Sequence, residues 1–158
     1  MVPDLKYRIA FSYIRGIGAV RFMLLMERFD SFESAWKADL RALKEAGLSD
    51  SIVQSILTER MRLDPDALIA ELDQKGIGVC CVDDDAYPQL LKEIATPPPI
   101  LYYVGTPETF MRKAVAIVGT RLVTSYGKMI TGEITEALVS HGFTVVSGLA
   151  RGVDGAAH

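Results

Sequence analysis

A chain of 158 residues, 49% hydrophobic and 23% charged with a formal net charge of -3, has the composition of an ordinary folded protein, long enough for one full domain or two small ones. No run approaches the roughly 18 to 20 uninterrupted apolar residues of a membrane span, and Asp4, Lys6 and Arg8 interrupt the N-terminus where a secretory signal carries its apolar region; a cytoplasmic location without membrane contact is expected. Mild acidity argues against wholesale wrapping of nucleic acid, but residues 1–28 carry five basic against two acidic side chains, 76–110 one against five and 111–158 five against three, so a local basic patch remains available to an anion.

Residues 1–75 read as a small all-helical domain. "DLKYRIAFSYIR" leads through Gly16-Ile17-Gly18 into "AVRFMLLMERF", where Val20, Met23, Leu24 and Met26 cluster for burial. "SFESAWKA", "DLRALKEAG" and "SDSIVQSILTERM" follow, each opening on Ser or Asp, and Trp36 is expected in the core with Met23 and Met26. "DPDALIAELDQKG" has Asp64 as N-cap, Pro65 at the first helical position and Gly76 past the end. The Gly-Ile-Gly turn, flanked by Arg15 and Arg21, reads in two ways. It is a helix-hairpin-helix turn whose backbone N–H groups touch a DNA phosphate, or a tight turn in a protein-interaction domain.

Residues 76–110 read as linking strands and a short helix. "GIGVCCV" is an apolar run of strand length, and its adjacent Cys80 and Cys81 offer neither an ordinary disulfide nor metal-ligand spacing, so they belong to a buried strand. "DDDAYPQLLKEIA" is a turn and short helix, with Asp83 to Asp85 read as a solvated turn and no metal site expected. Three prolines at 97–99 cannot sit in a helix interior or donate to a central ladder, so they are expected to form a strapped connection into the next domain, with "ILYYVG" a further strand. "TPETFMRK" (106–113) reads as one helical turn capped by Thr106.

Residues 111–158 open as a β-α-β unit. "AVAIV" (114–118) is an apolar strand, "TSYGKMITGEITEALVSHG" a helix with Tyr126, Ile130, Ile134 and Leu138 on one stripe, and "FTVVSG" a second strand. Gly142 ends the helix after His141, which suits a last-turn cation better than a ligand. Apolar strands joined by a crossover helix imply a parallel, doubly wound sheet, hence an α/β fold. Two strands and one helix cannot cover both faces of such a sheet, so the segment is expected to be the truncated beginning of a larger one.

Parallel strands share a direction, so both exits face one crevice. The first exit is "GTRLVTSYG" and the second "SGLARGVDG": each has a glycine turn, a nearby hydroxyl, one arginine and then a helix start. Glycine lets a ligand approach the backbone, hydroxyls and free N–H groups donate, and arginine adds a positive fork, which together suit phosphate. With neighbouring strands about 4.8 Å apart, two exits would hold two phosphates of one ligand or one nucleic-acid strand. A dinucleotide fits poorly, because the turn reads G-T-R rather than G-x-G-x-x-G and the second strand ends in Ser147 rather than an acid. The GK[ST] of a P-loop is also absent.

"AIVGTRLVTSYG" followed by "VVSGLARGVDGAAH" resembles the signature of the DNA-processing protein A family (DprA, also called Smf). "DDAYPQLLKEIATPPPILYYVG" resembles that family's lead-in, and "IRGIGAVRFMLLMERFDSFESAWKA" its sterile-alpha-motif-like (SAM-like) domain. The resemblance implies a Rossmann-like domain that binds and protects single-stranded DNA and helps load the RecA recombinase in natural transformation, as a homodimer and without catalysis or a cofactor. Carried over by position, Gly119, Thr120, Arg121, Ser125 and Gly127 would line the first phosphate site, and Ser147, Gly148, Arg151, Gly152 and Asp154 the second. The arginines would take backbone phosphates with bases outward, giving salt-dependent, sequence-neutral binding. Asp154 would orient Arg151 or cap the new helix. Two other classes remain: a phosphoribohydrolase-like enzyme of nucleotide metabolism, whose PGGxGT-type loop is not present in these residues, and a protein-interaction module in which the sheet is scaffold.

Overall fold

A computed structural model describes residues 4–107, 110 and 113–158. The chain divides into two compact units, Met1–Gly105 and Thr106–His158. The helical turn expected over 106–113 falls largely outside the described residues.

The first unit holds six helices in succession, α1 (Leu5–Tyr13), α2 (Ala19–Arg28), α3 (Phe32–Lys37), α4 (Leu40–Glu45), α5 (Asp50–Arg60) and α6 (Pro65–Gln74). Their starts follow local capping chemistry. Ser31 and Ser34 cap α3 reciprocally, Asp39 accepts from Ala42 N–H (2.8 Å) at α4, and Asp64 accepts from Asp66 N–H (2.9 Å) ahead of Pro65 at α6. Phe11, Phe22, Phe32 and Trp36 fill the core; the Phe11 and Trp36 rings meet edge-on at 5.2 Å. Burying each such ring contributes about 1.5–3 kcal/mol. On α2 the buried residues are Phe22 and Leu25, while Val20 is 68% exposed and Met23, Leu24 and Met26 are half-buried. Of the expected cluster, Met23, Leu24 and Met26 pack against the hydrophobic clusters, Val20 does not, and Phe22 and Leu25, three apart, carry the buried face.

Two arginines are drawn into this unit. Arg8, buried on α1, lies 5.0 Å over the Phe32 ring and forms a two-pronged ion pair with Asp83 (2.5 and 2.8 Å). Arg60 donates to the carbonyls of Ala35 and Ala38 (2.7 Å each) and stacks 5.7 Å from Trp36, so it closes the C-terminal end of α3. Burial lowers the Arg60 guanidinium to about 10.

After α6 the chain forms β1 (Gly78–Cys81), α7 (Gln89–Lys92) and β2 (Ile100–Tyr103), with β1 and β2 antiparallel from Gly78 opposite Tyr103 to Cys81 opposite Ile100. This pair packs within the first unit: Ile100 lies against the helical core, and Met23 and Met26 against Cys80, Val82 and Tyr87. The prolines serve as hydrogen-bond acceptors inside the first unit rather than leading out of it: Pro98 O takes the Tyr87 hydroxyl (2.8 Å) and Pro99 O takes Val82 N–H (3.0 Å), one step beyond the Cys81–Ile100 pair. Cys80 and Cys81 are free and buried, and burial pushes the Cys81 thiol up to about 11. The Asp83–Asp85 stretch departs from a plain solvated turn. Asp83 holds Arg8, and the Asp84 carboxylate accepts from Cys81 N–H (2.6 Å). Among the described residues no three His, Cys, Asp or Glu side chains gather as metal ligands, and no helix is long and apolar enough to cross a membrane.

The second unit is β3 (Ala114–Ala116), α8 (Ser125–Ser140), β4 (Thr144–Val146) and α9 (Val153–Ala157). β3 and β4 pair in parallel, Ala114 opposite Thr144 through Ala116 opposite Val146, and Ile117 N–H extends the ladder to Val146 O (2.9 Å). At the end of α8 the Ala137 carbonyl is met by the His141 N–H (3.2 Å), the Ser140 hydroxyl (2.8 Å) and the His141 Nδ1 (2.7 Å). The apolar stripe expected on α8 is rotated. Thr131 is its buried residue, with Gly127, Ile130, Thr135 and Leu138 half-buried, whereas Tyr126 is 70% and Ile134 50% exposed. Small and hydroxyl residues at i, i+4 spacing let the helix lie close, and they take the packing face from the larger side chains.

Candidate functional site

Both strand exits run into turns that meet each other. Val153 N–H donates to Thr120 O (3.1 Å), so the first residue of α9 is satisfied by the first exit. Gly152 has φ 97°, and a Cβ there would collide with Thr120 O and the Arg121 backbone. A Cβ on Gly119 would lie 2.7 Å from the Val153 side chain. Only glycine permits this crossing, which sets Thr120–Arg121 against Gly152–Val153, so that Arg121 and Arg151 stand on the two turns that meet.

Around the crossing the donors divide into used and free. Thr120 Oγ1 accepts from Leu122 N–H (3.1 Å) and turns the chain, and Thr124 Oγ1 caps α8 by accepting from Gly127 N–H (3.0 Å). Gly127 is therefore part of the cap. The backbone N–H groups of Arg121, Val123, Thr124, Ser125 and Tyr126 have no partner among the described residues. They lie at the positive end of a 16-residue helix, a place suited to an anion. Arg121, Arg151 and Ser125 are exposed, and neither arginine makes an ion pair or side-chain hydrogen bond among the described residues.

The second exit is more closed. Asp154 is buried at 7% exposure, and its carboxylate accepts from Gly119 N–H (3.3 Å) through one oxygen and from Gly148 N–H (3.1 Å) through the other. This differs from both expected roles: Asp154 makes no ion pair with Arg151 among the described residues and does not cap α9, whose start at Gly152 has no side-chain cap. It ties the two glycine turns together. Ser147 Oγ is buried without a hydrogen-bond partner among the described residues, and Leu149 takes a left-handed φ of 52°, an uncommon conformation for a residue with a branched side chain. The structure therefore brings Gly119, Thr120, Arg121, Gly148, Gly152 and Asp154 together through direct contacts, with Ser125 and Gly127 on the adjoining turn of α8.

Two features lay beyond the sequence reading. Thr124 caps α8, a role given to no residue in the sequence; a hydroxyl three residues before Gly127 was the available signal. Tyr126, assigned to the buried stripe, is exposed one residue from the free amides. In the other unit, Arg21 donates to Gly16 O (2.7 Å) and is thereby bound to the Gly-Ile-Gly turn, while Arg15 is exposed.

A helical unit followed by a parallel β-α-β unit with two glycine-arginine exits at one edge defines an α/β protein of the Rossmann-like class. The chain belongs to the DNA recombination-mediator protein A family, whose model matches residues 78–158. It is 41% identical to the protein Smf of Synechocystis over 96% of its own length, and 30% identical to the DNA processing protein DprA of Bacillus subtilis over 78%. It spans only 39% and 44% of those two relatives. The crystal structure of DNA processing protein A from Streptococcus pneumoniae superimposes with a TM-score of 0.70 at 24% identity, covering 97% of this chain and 52% of that one, and so shares its fold.

Proposed function

We propose that the crossing of the two strand exits binds the backbone of single-stranded DNA. The observation that carries this reading is the pair of exposed, unpaired arginines, Arg121 and Arg151, beside the open amides of Arg121 and Val123 to Tyr126. A backbone phosphate sits on the amides and the Arg121 fork, the next phosphate is met by Arg151, and bases turn outward, where the exposed Tyr126 offers a stacking face. Such a site tracks charge and shape, so binding is salt-dependent and largely indifferent to sequence.

The relatives' names, DNA processing and recombination mediation, support a role in handling DNA; we extend it to protecting DNA during transformation and handing it to a recombinase of the RecA type, as a cytoplasmic homodimer and by binding rather than catalysis. Gly119, Thr120, Ser125, Gly127, Ser147, Gly148 and Gly152 shape the loops.

The test is fluorescence anisotropy of a labelled single-stranded oligonucleotide titrated with the chain and with Arg121→Ala at two salt concentrations. Binding that weakens with salt and drops on losing Arg121 is expected. Binding unchanged by the substitution would remove the site from these loops, and no binding by either protein would sink the DNA reading for this chain.

A further inference from the structure

The two exits end in glycine amides that converge on the Asp154 carboxylate, one on each oxygen. Backbone N–H groups converging from two strand ends are the arrangement that, in parallel sheets, receives a phosphate or pyrophosphate lying across the crevice. On the phosphate reading of the exits, we infer that Asp154 is a specificity-determining residue. It is a resident anion that occupies the oxyanion position between the strands and makes the crevice refuse the pyrophosphate of a free nucleotide.

Three observations bear on this. The carboxylate is buried at 7% exposure, so its charge is poorly screened toward anything entering beside it. Both of its oxygens are engaged by glycine N–H groups, which are then unavailable to a ligand. The remaining open donors, the amides of Arg121 and Val123 to Tyr126 and the side chains of Arg121 and Arg151, take no part in the clasp. A ligand whose two phosphates share one bridging oxygen would have to displace the carboxylate to span the exits. A strand whose phosphates are separated by a sugar reaches Arg121 and Arg151 around it. Asp154 thus performs two tasks with one group: it clasps the loops and it selects nucleic acid over mononucleotide.

Amide-resolved magnetic resonance of the ¹⁵N-labelled chain tests this with two probes, inorganic pyrophosphate and a short thymidine oligonucleotide. In the wild-type chain the Gly119 and Gly148 amides should exchange with solvent roughly tenfold more slowly than those of Val123 to Tyr126, and should not move when pyrophosphate is added. Fast exchange at both glycines, or a pyrophosphate-induced shift there, would overturn the inference. In Asp154→Ala both glycines should lose protection and begin to respond to pyrophosphate; loss of protection without any response would show that the carboxylate excludes nothing. If that variant unfolds, Asp154→Asn decides the matter, because the carboxamide has one accepting oxygen: one glycine should stay protected and the other be freed, and two protected glycines would count against the clasp. The oligonucleotide should shift Arg121 to Tyr126 while leaving Gly119 and Gly148 still. Silence at every amide toward the oligonucleotide removes the DNA reading, whereas the exchange rates and the pyrophosphate response still decide the role of Asp154.

Discussion

Arg8 and Asp83 stand 75 positions apart in the chain and close on one another through two hydrogen bonds, a guanidinium with 10% of its side chain exposed against a carboxylate with 41%. The asymmetry of exposure makes an asymmetric prediction. Asp83→Ala leaves a buried cation without its partner and should destabilise the first unit by about 2–3 kcal/mol, below the roughly 3–5 kcal/mol of a fully buried pair because water reaches one side. Arg8→Met leaves a carboxylate that water can solvate and fills the space over Phe32, so its effect should be about 1 kcal/mol or less. Urea midpoints followed by Trp36 fluorescence would rank the two; equal losses would contradict the assignment.

The same pair gives the unit an acid dependence. The hydrogen bond from Arg8 holds the Asp83 carboxyl below its ordinary value of 3.8, so the folded state binds that proton less readily than the unfolded chain. The stabilisation is fully present above the ordinary carboxylate value and is lost as pH falls through the depressed one. Stability measured between pH 5 and pH 2 should therefore fall more steeply in the wild type than in Arg8→Met. Parallel curves would mean that the pair contributes nothing to the acid limb.

Cys81 is fully buried with its thiol raised to about 11 from 9.0. About a hundredfold less thiolate at neutral pH, on top of steric exclusion, should leave it inert to a thiol-reactive disulfide reagent in the native chain, and both cysteines should react only as rapidly as the first unit unfolds. A burst of labelling in native buffer would place β1 in solvent.

On the proposed DNA reading, charge and stacking are separable. Arg121→Ala and Arg151→Ala should each weaken oligonucleotide binding about tenfold and reduce the slope of log affinity against log salt by roughly 0.7. Tyr126→Ala should lose about 1–3 kcal/mol of binding with the salt slope unchanged. Because Tyr126 is 70% exposed, its loss should leave the thermal midpoint within about a degree or two. A changed slope in Tyr126→Ala would indicate that the loop, and not the ring, had been altered.

What could be read from the sequence follows from range along the chain. Caps at Ser31, Asp39 and Asp64 act over two or three residues and stand where the residue types placed them; the parallel β3-α8-β4 unit is likewise local, each element carrying its own periodicity. Faces are harder. A shift of one residue turns an α-helix by about 100°, enough to exchange Tyr126 and Ile134 for Gly127, Thr131 and Thr135 against the sheet. Val20 was misplaced on α2 for the same reason. The Asp154 clasp was out of reach because its partners, Gly119 and Gly148, are backbone amides of two loops brought together only by the glycine crossing, and no side-chain pattern records an amide. Arg8 similarly gives no sign of a carboxylate 75 residues later.

The strand pair β1–β2 separates the span of the family model from the division of the structure. The family match starts at residue 78, yet β2 is seated by Ile100 against the helical core and Tyr87 by Met23 and Met26 of α2. The residues matched by the family model therefore run across the division between the two compact units at residue 105. Gene fusions, swaps between relatives or isolated pieces begun at residue 78 would strand two short β-strands without their support, whereas a junction just beyond Gly105 would keep each compact unit whole.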